Sequence, residues 1–245
     1  MSRAPRAGGK RRGRVALCIV LAILLLFAAV VAVYAQTYSR ADDVAQDAML
    51  RVKARGDMYA FGDAAAETGL VLYPGGKVEY TAYAPLAERI AATADILVVV
   101  PKMPLNLAVL DVYAADRAMA AFPAVNAWYV GGHSLGGAMA SKYAAVSPDA
   151  VAGVILLAAY ATDPLPMRVL SVYGDSDTVL NREQYESARA FLPDAFTEVT
   201  IAGGNHARFG NYGVQKGDSA AAIPAAEQQQ IAAETIADWL SAPSA

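Results

Sequence analysis

The chain has 245 residues, 56% of them hydrophobic, with 20 Lys and Arg against 23 Asp and Glu. That composition excludes a disordered chain and suffices for one α/β domain with a sizeable core. The one cysteine, Cys18, excludes an intramolecular disulfide, so the domain must stand on its core alone.

Charge is unevenly spread. Six basic residues, Arg3, Arg6, Lys10, Arg11, Arg12 and Arg14, fall in the first 14 positions, and Val15 to Ala35 carries no charge. As a helix that apolar run is about 31 Å long, close to the ~30 Å hydrocarbon core of a bilayer. The basic flank predicts a cytoplasmic N-terminus and everything after Ala35 on the far side. A signal peptide cleaved after Val33-Tyr34-Ala35 is the rival reading. The run exceeds the roughly 7 to 15 apolar residues usual for a signal peptide, which favours an uncleaved anchor. Past the basic cluster the chain holds 14 Lys and Arg against 23 Asp and Glu, an acidic balance that argues against nucleic-acid binding. The expected organisation is a basic cytoplasmic tail over 1–14, an anchor or signal peptide over 15–35, a stalk with a short helix over 36–55, and a globular domain over 56–241.

In chain order, a short helix is expected around Asp43 to Val52, an edge strand at Met58 to Phe61 and a strand at Gly69 to Tyr73 that ends in Pro74-Gly75-Gly76. Tyr83, Leu86, Ala87 and Ile90 have helical spacing. Ile96 to Val100 is a continuous apolar run stopped by Pro101, as for a strand buried on both faces. Leu105 to Ala121 is predicted as a helix, Ala127 to Val130 as a strand, and Gly136 to Ala145 as a small-residue helix. Val151 to Ala158, Met167 to Tyr173 and Phe196 to Ile201 follow as strands, with a helix over Asn181 to Leu192. A last helix over Ala225 to Leu240 carries Ala232, Ile236 and Leu240 on one face. The alternation predicts a mostly parallel sheet wrapped by helices.

Chemistry concentrates at Gly132-His133-Ser134-Leu135-Gly136, between a strand and a helix. A strand that turns sharply into a helix strains its apex and tolerates only small residues beside it, which makes Ser134 the candidate nucleophile. A serine hydroxyl needs a base, and the chain has two histidines. His133 adjoins Ser134 and points elsewhere. His206, in the loop after the last predicted strand, is therefore the candidate base. Asp177, in Gly174-Asp175-Ser176-Asp177, is the candidate acid partner; Asp175 reads as a turn cap and Asp163 as the reserve. The N–H groups of Leu135 and of Gly76 are the candidate oxyanion donors.

These motifs, in this order, resemble the α/β-hydrolase superfamily. The finer resemblance is to the small α/β-hydrolase fold-5 family, related to dienelactone hydrolases, through Leu72 to Val78, Gly131 to Ala140 and Asn205 to Gly213. It covers about Thr68 to Leu240 and implies Ser134, Asp177 and His206 as a triad with hydrolase activity. Dienelactone hydrolases use a cysteine nucleophile, so their particular activity does not carry over to Ser134.

The connection from Ala159 to Met167, stiffened by Pro164 and Pro166, leaves no room for a large cap, so the expected pocket is shallow and open. The reading is an esterase-like serine hydrolase acting on a short or accessible ester through an acyl-enzyme. It is membrane-held, takes a small-molecule substrate and needs no cofactor. An acyltransferase using the same triad and a non-catalytic binding module are the alternatives. A zinc site is disfavoured by two histidines with neither an H-x-x-x-H spacing nor a cysteine cluster.

Overall fold

The computed structural model describes residues 8–52, 54–194 and 196–243. Positions 1–7 of the basic tail, with Arg3 and Arg6, lie outside the described residues. The chain divides into two compact units, with the boundary between Tyr38 and Ser39.

The first unit is helix α1, Gly8–Gln36. Within it Arg12–Gln36 has a mean hydropathy of 3.3, and its apolar side chains, such as Leu25 and Phe27, are exposed. By length and composition this helix is able to cross a bilayer, a property an N-terminal signal sequence shares.

The second unit opens with α2, Asp43–Met49, capped by the Asp42 carboxylate, which accepts the Ala45 N–H at 3.0 Å. Strands β1 (Ala54–Arg55), β2 (Met58–Phe61) and β3 (Thr68–Tyr73) follow, then α3 (Ala84–Ala94) and β4 (Leu97–Pro101). The chain continues through α4 (Ala114–Ala121), β5 (Ala127–His133), α5 (Leu135–Val146), β6 (Gly153–Leu157) and β7 (Arg168–Gly174). It ends with α6 (Arg182–Ala188), β8 (Thr197–Ile201) and α7 (Ala225–Ser241). Among the described residues one eight-stranded sheet runs in the order β1-β2-β4-β3-β5-β6-β7-β8. Pairing is parallel from β4 to β8, and β1 and β2 add an antiparallel edge.

Strand alternation builds two cores, one on each face of this sheet. Leu70, Leu72, Val98, Ile155, Leu157 and Val172 face one way, onto Leu86 and Ile90 of α3 and Ala232 and Ile236 of α7. Val71, Tyr73, Val99, Val130, Leu156 and Val169 face the other way, onto Ala115 and Ala118 of α4 and Tyr143 of α5. Helix α2 is built into the first core through Ala45 and Ala48.

The helix predicted over Leu105 to Ala121 forms only from Ala114. Before it the chain makes two short 3-10 turns, and Leu105 and Asn106 take left-handed backbone angles, φ 51° and 56°. A tertiary contact outweighs the helical pattern here: the Asn106 carbonyl accepts the Lys77 N–H at 2.7 Å, tying this segment to the loop after β3.

Candidate active site

The parallel strands β3, β5, β7 and β8 deliver their following loops to one edge of the sheet, where an open α/β sheet gathers a site. Strand β5 ends in the turn at Ser134, whose backbone is held at φ 53° and ψ −124°. For a residue with a side chain that conformation stores on the order of 1–3 kcal/mol, which the surroundings must over-determine. They do so through two hydrogen bonds: the Ser134 N–H donates to the Leu157 carbonyl at 2.9 Å, and the Ser134 carbonyl accepts the Ala138 N–H at 3.1 Å. A Cβ at Gly132 would lie 2.6 Å from the Tyr73 carbonyl oxygen, and one at Gly136 would strike the carbonyls of Tyr73 and Pro74. Both are rigid backbone, so the turn against β3 admits only glycine two residues before and two residues after the serine.

His206 lies in the loop after β8, and Asp177 in the loop after β7. His206 Nδ1 stands 2.8 Å from Asp177 Oδ2, and both side chains are buried. The other carboxylate oxygen accepts the N–H groups of Val179 at 2.9 Å and Leu180 at 2.8 Å. Burial alone would raise the Asp177 pKa. The hydrogen bond and charge of His206, with the Leu180 and Val179 N–H groups, outweigh it and hold the carboxyl below its ordinary value. An ionised carboxylate only accepts, so an imidazole proton sits on Nδ1, and in the neutral ring Nε2 is the nitrogen that presents a lone pair. Among the described residues nothing hydrogen-bonds that buried Nε2.

Ser134 and His206 line one cavity of about 240 Å³, with Leu135, Ala138, Ala158, Ala159, Tyr160 and the Val179–Asn181 stretch. The Leu135 N–H opens α5 ahead of its first intrahelical hydrogen bond, where helix donors stay free and the dipole favours negative charge. Gly76 packs on the same residue: a Cβ there would sit 2.8 Å from Leu135 Cδ2. Among the described residues neither the Gly76 nor the Leu135 N–H has an acceptor. The structure thus brings Ser134, Leu135, Gly76 and His206 together, with Asp177 behind His206.

The remaining candidates sit elsewhere. His133 is buried and points away from the cavity lining, with Nδ1 2.8 Å from the Tyr83 hydroxyl. Asp175 caps a turn, accepting the Gly203 N–H at 2.9 Å and the Ser176 hydroxyl at 3.0 Å. Asp163 is engaged by Lys142 at 3.0 Å.

Three residues have supporting roles at the site that the sequence reading does not assign. Gln228 of α7 is buried and grips Asn205 at both ends, accepting its N–H at 2.9 Å and donating to its carbonyl at 2.7 Å. Asp218 accepts the Ala207 N–H at 2.9 Å, joining the returning chain to the histidine loop. Tyr83 accepts the Gly75 N–H at 3.0 Å, beneath the candidate oxyanion loop. Only Gln228 leaves a trace in the sequence: it lies four residues before Ala232 and eight before Ile236, a polar residue on the buried stripe of α7.

A parallel sheet with a strained serine turn after β5 and a paired histidine and carboxylate at the ends of later strands defines the α/β-hydrolase class. The alpha/beta hydrolase family model matches residues 69–230, and the chain belongs to that family. Among similar solved structures is an esterase from Thermogutta terrifontis, 14% identical, TM-score 0.57, over 75% of this chain and 92% of that one. A monoacylglycerol lipase from Paleococcus ferrophilus is 14% identical with a TM-score of 0.58, over 75% and 97% of the two chains. The fluorophosphonate-binding serine hydrolase FphF of Staphylococcus aureus is 16% identical with a TM-score of 0.52, over 76% and 92%. At such identities the likeness is one of fold. A search among curated proteins finds no match.

Proposed function

We propose that this chain is a serine hydrolase that cleaves a short or accessible carboxylic ester through an acyl-enzyme. The observation that carries the reading is the Asp177–His206 pair at 2.8 Å, with a buried, unpartnered Nε2 on a histidine that lines the same cavity as Ser134 on its strained turn. Ser134 Oγ attacks the ester carbonyl as its proton passes to His206 Nε2. Asp177 holds the imidazole in the required tautomer and stabilises the imidazolium. The tetrahedral oxyanion takes the N–H groups of Leu135 and Gly76. His206 then protonates the departing alcohol, and water, deprotonated by the same Nε2, releases the acid and restores Ser134.

The cavity of about 240 Å³, walled by Leu135, Ala138, Ala158, Ala159, Val179 and Leu180, is smaller than the ~300–1,000 Å³ of drug-sized sites and suits a short acyl group. The esterases and the lipase among the structural neighbours accord with ester chemistry. Helix α1 serves in this reading as an anchor that leaves the domain outside the cytoplasm.

The test is turnover of p-nitrophenyl acetate and butyrate, with fluorophosphonate labelling of the wild type and of Ser134→Ala. The expected result is labelling of Ser134 alone, and loss of both labelling and turnover in a folded variant. Turnover retained by Ser134→Ala would overturn the assignment.

A further inference from the structure

Behind the cavity lies a buried cluster that the proposed chemistry leaves unused. Tyr83 comes from the turn before α3, His133 from the end of β5, and Phe209 and Tyr212 from the chain just past His206. The His133 ring centroid lies 4.5 Å from that of His206, 5.6 Å from Phe209 and 6.4 Å from Tyr212. Tyr83 Oη is 2.8 Å from His133 Nδ1 and accepts the Gly75 N–H at 3.0 Å. A chain of contacts therefore runs from the loop that carries Gly76 to the imidazole that carries the candidate base.

We propose that Tyr83 and His133 are positioning residues that lock the Gly75–Gly76 loop and the His206 ring into one rigid body, so that oxyanion donor and base keep a fixed spacing. The inference rests on the reading of Ser134, His206 and Gly76 given above.

Proton inventory makes the relay directional. Tyr83 Oη accepts from Gly75, and in the relay its single proton is donated to His133 Nδ1. In that arrangement His133 is neutral with its own proton on Nε2, a buried atom that among the described residues has no hydrogen-bond partner. Among the described residues the titratable groups facing it are Tyr83, Tyr212 and His206, with Asp177 beyond His206 and no carboxylate against the ring itself. Burial first, and then the charge of His206, hold the His133 imidazole well below its ordinary value, the His206 backbone opposing weakly; burial pushes the Tyr83 phenol up. Both partners thus stay in the protonation states the relay needs, and His133 adds no positive charge beside an imidazole that must itself become cationic. The loop is sized to this contact. A Cβ at Gly75 would fall 2.6 Å from Tyr83 Oη and 2.9 Å from His133 Nδ1, so any larger residue there would push the hydroxyl or the imidazole from its place.

Misplacing a reacting group by about 1 Å costs on the order of 10²-fold in rate, whereas ground-state binding in an apolar pocket is less sensitive. The test uses the full chain in detergent micelles and compares wild type, Tyr83→Phe, His133→Ala and His133→Asn, whose amide oxygen replaces Nδ1 as acceptor. Tyr83→Phe and His133→Ala are expected to lower kcat about tenfold or more with KM within about twofold. Affinity for a trifluoromethyl ketone, which forms the oxyanion, should fall in parallel with kcat. His133→Asn should recover most of the loss, an outcome that packing alone would not produce. Unchanged kcat and ketone affinity in Tyr83→Phe, or a loss confined to KM, would overturn the relay.

A second arm needs no variant. Nitrogen-15 spectra of wild-type histidines should place the His133 proton on Nε2 and keep the ring neutral from about pH 5 to about pH 8, where an ordinary histidine titrates. A proton on Nδ1, or titration in that range, overturns the relay even if the substitutions prevent folding. Fluorophosphonate labelling of the wild type separates the two ideas: no labelling at Ser134 fails the serine-hydrolase reading, whereas labelling with an unaltered Tyr83→Phe fails the relay alone.

Discussion

At Asp177 burial and ionisation pull in opposite directions, and the three partners of its two oxygens, His206, Val179 and Leu180, decide for ionisation. The thermodynamic sign follows. A carboxyl whose folded pKa lies below its unfolded value stabilises the fold above the unfolded pKa, and that contribution fades as pH falls through the folded one. The wild type should therefore lose stability as pH drops below the ordinary carboxylate range, and Asp177→Asn should flatten that limb in urea midpoints measured against pH. The same substitution hands Nδ1 the wrong partner, because an amide can present N–H and favour the opposite imidazole tautomer. In related constellations that change costs on the order of 10⁴ in kcat, the size expected here in ester turnover. What makes Asp177 a candidate in the sequence is a loop that follows a buried strand and has turned far enough by that residue to project inward, while Asp175 reads as a turn cap. The two backbone donors that hold its second oxygen were not legible, because a loop's path is set by what it packs against.

Among the elements, α7 shows how a helix can support a candidate site without lining it. Its apolar stripe was readable in Ala232 and Ile236, but Leu240 is only partly buried and Trp239 and Gln228 complete the face. Gln228 is buried because both of its amide groups are answered by the backbone of Asn205, the residue before His206. Replacing it by leucine would fill the space and leave an N–H and a carbonyl buried and unpaired, at about 1–3 kcal/mol each. Gln228→Leu is thus expected to lower stability by roughly 2–6 kcal/mol, and to lower kcat more than it raises KM, because the histidine loop loses its clamp. Urea unfolding and steady-state kinetics on one preparation check both, and a variant of wild-type stability would remove α7 from the site's support. The segment before α4 gives the opposite lesson. Its helical spacing was real, but the Asn106 carbonyl is needed by Lys77, and a local pattern carries no information about that partner.

For the whole molecule, the alternation of strands and helices was enough to place the candidate loops at one edge of a parallel sheet. Strand order was not legible: β3 lies between β4 and β5, and β2 pairs antiparallel with β4, choices made by sheet-wide packing. The N-terminal helix poses a question of a different kind, since the fold of the second unit bears on neither its cleavage nor its orientation. Charge supplies the argument. Lys10, Arg11, Arg12 and Arg14 precede an uncharged run, while the rest of the chain is acidic, so the basic end is expected to remain cytoplasmic and the domain to be carried across. An uncleaved span resists alkaline carbonate, because it is held by about 30 Å of hydrocarbon and not by charge. The full chain should stay in the membrane pellet after such a wash, at its full mass of 25.6 kDa, and be digested by protease added from outside the cell. A soluble product beginning just after Ala35 would assign Val15 to Ala35 to a signal peptide and make the hydrolase a released one. Protection from external protease would reverse the orientation, and the acidic domain would then face the cytoplasm.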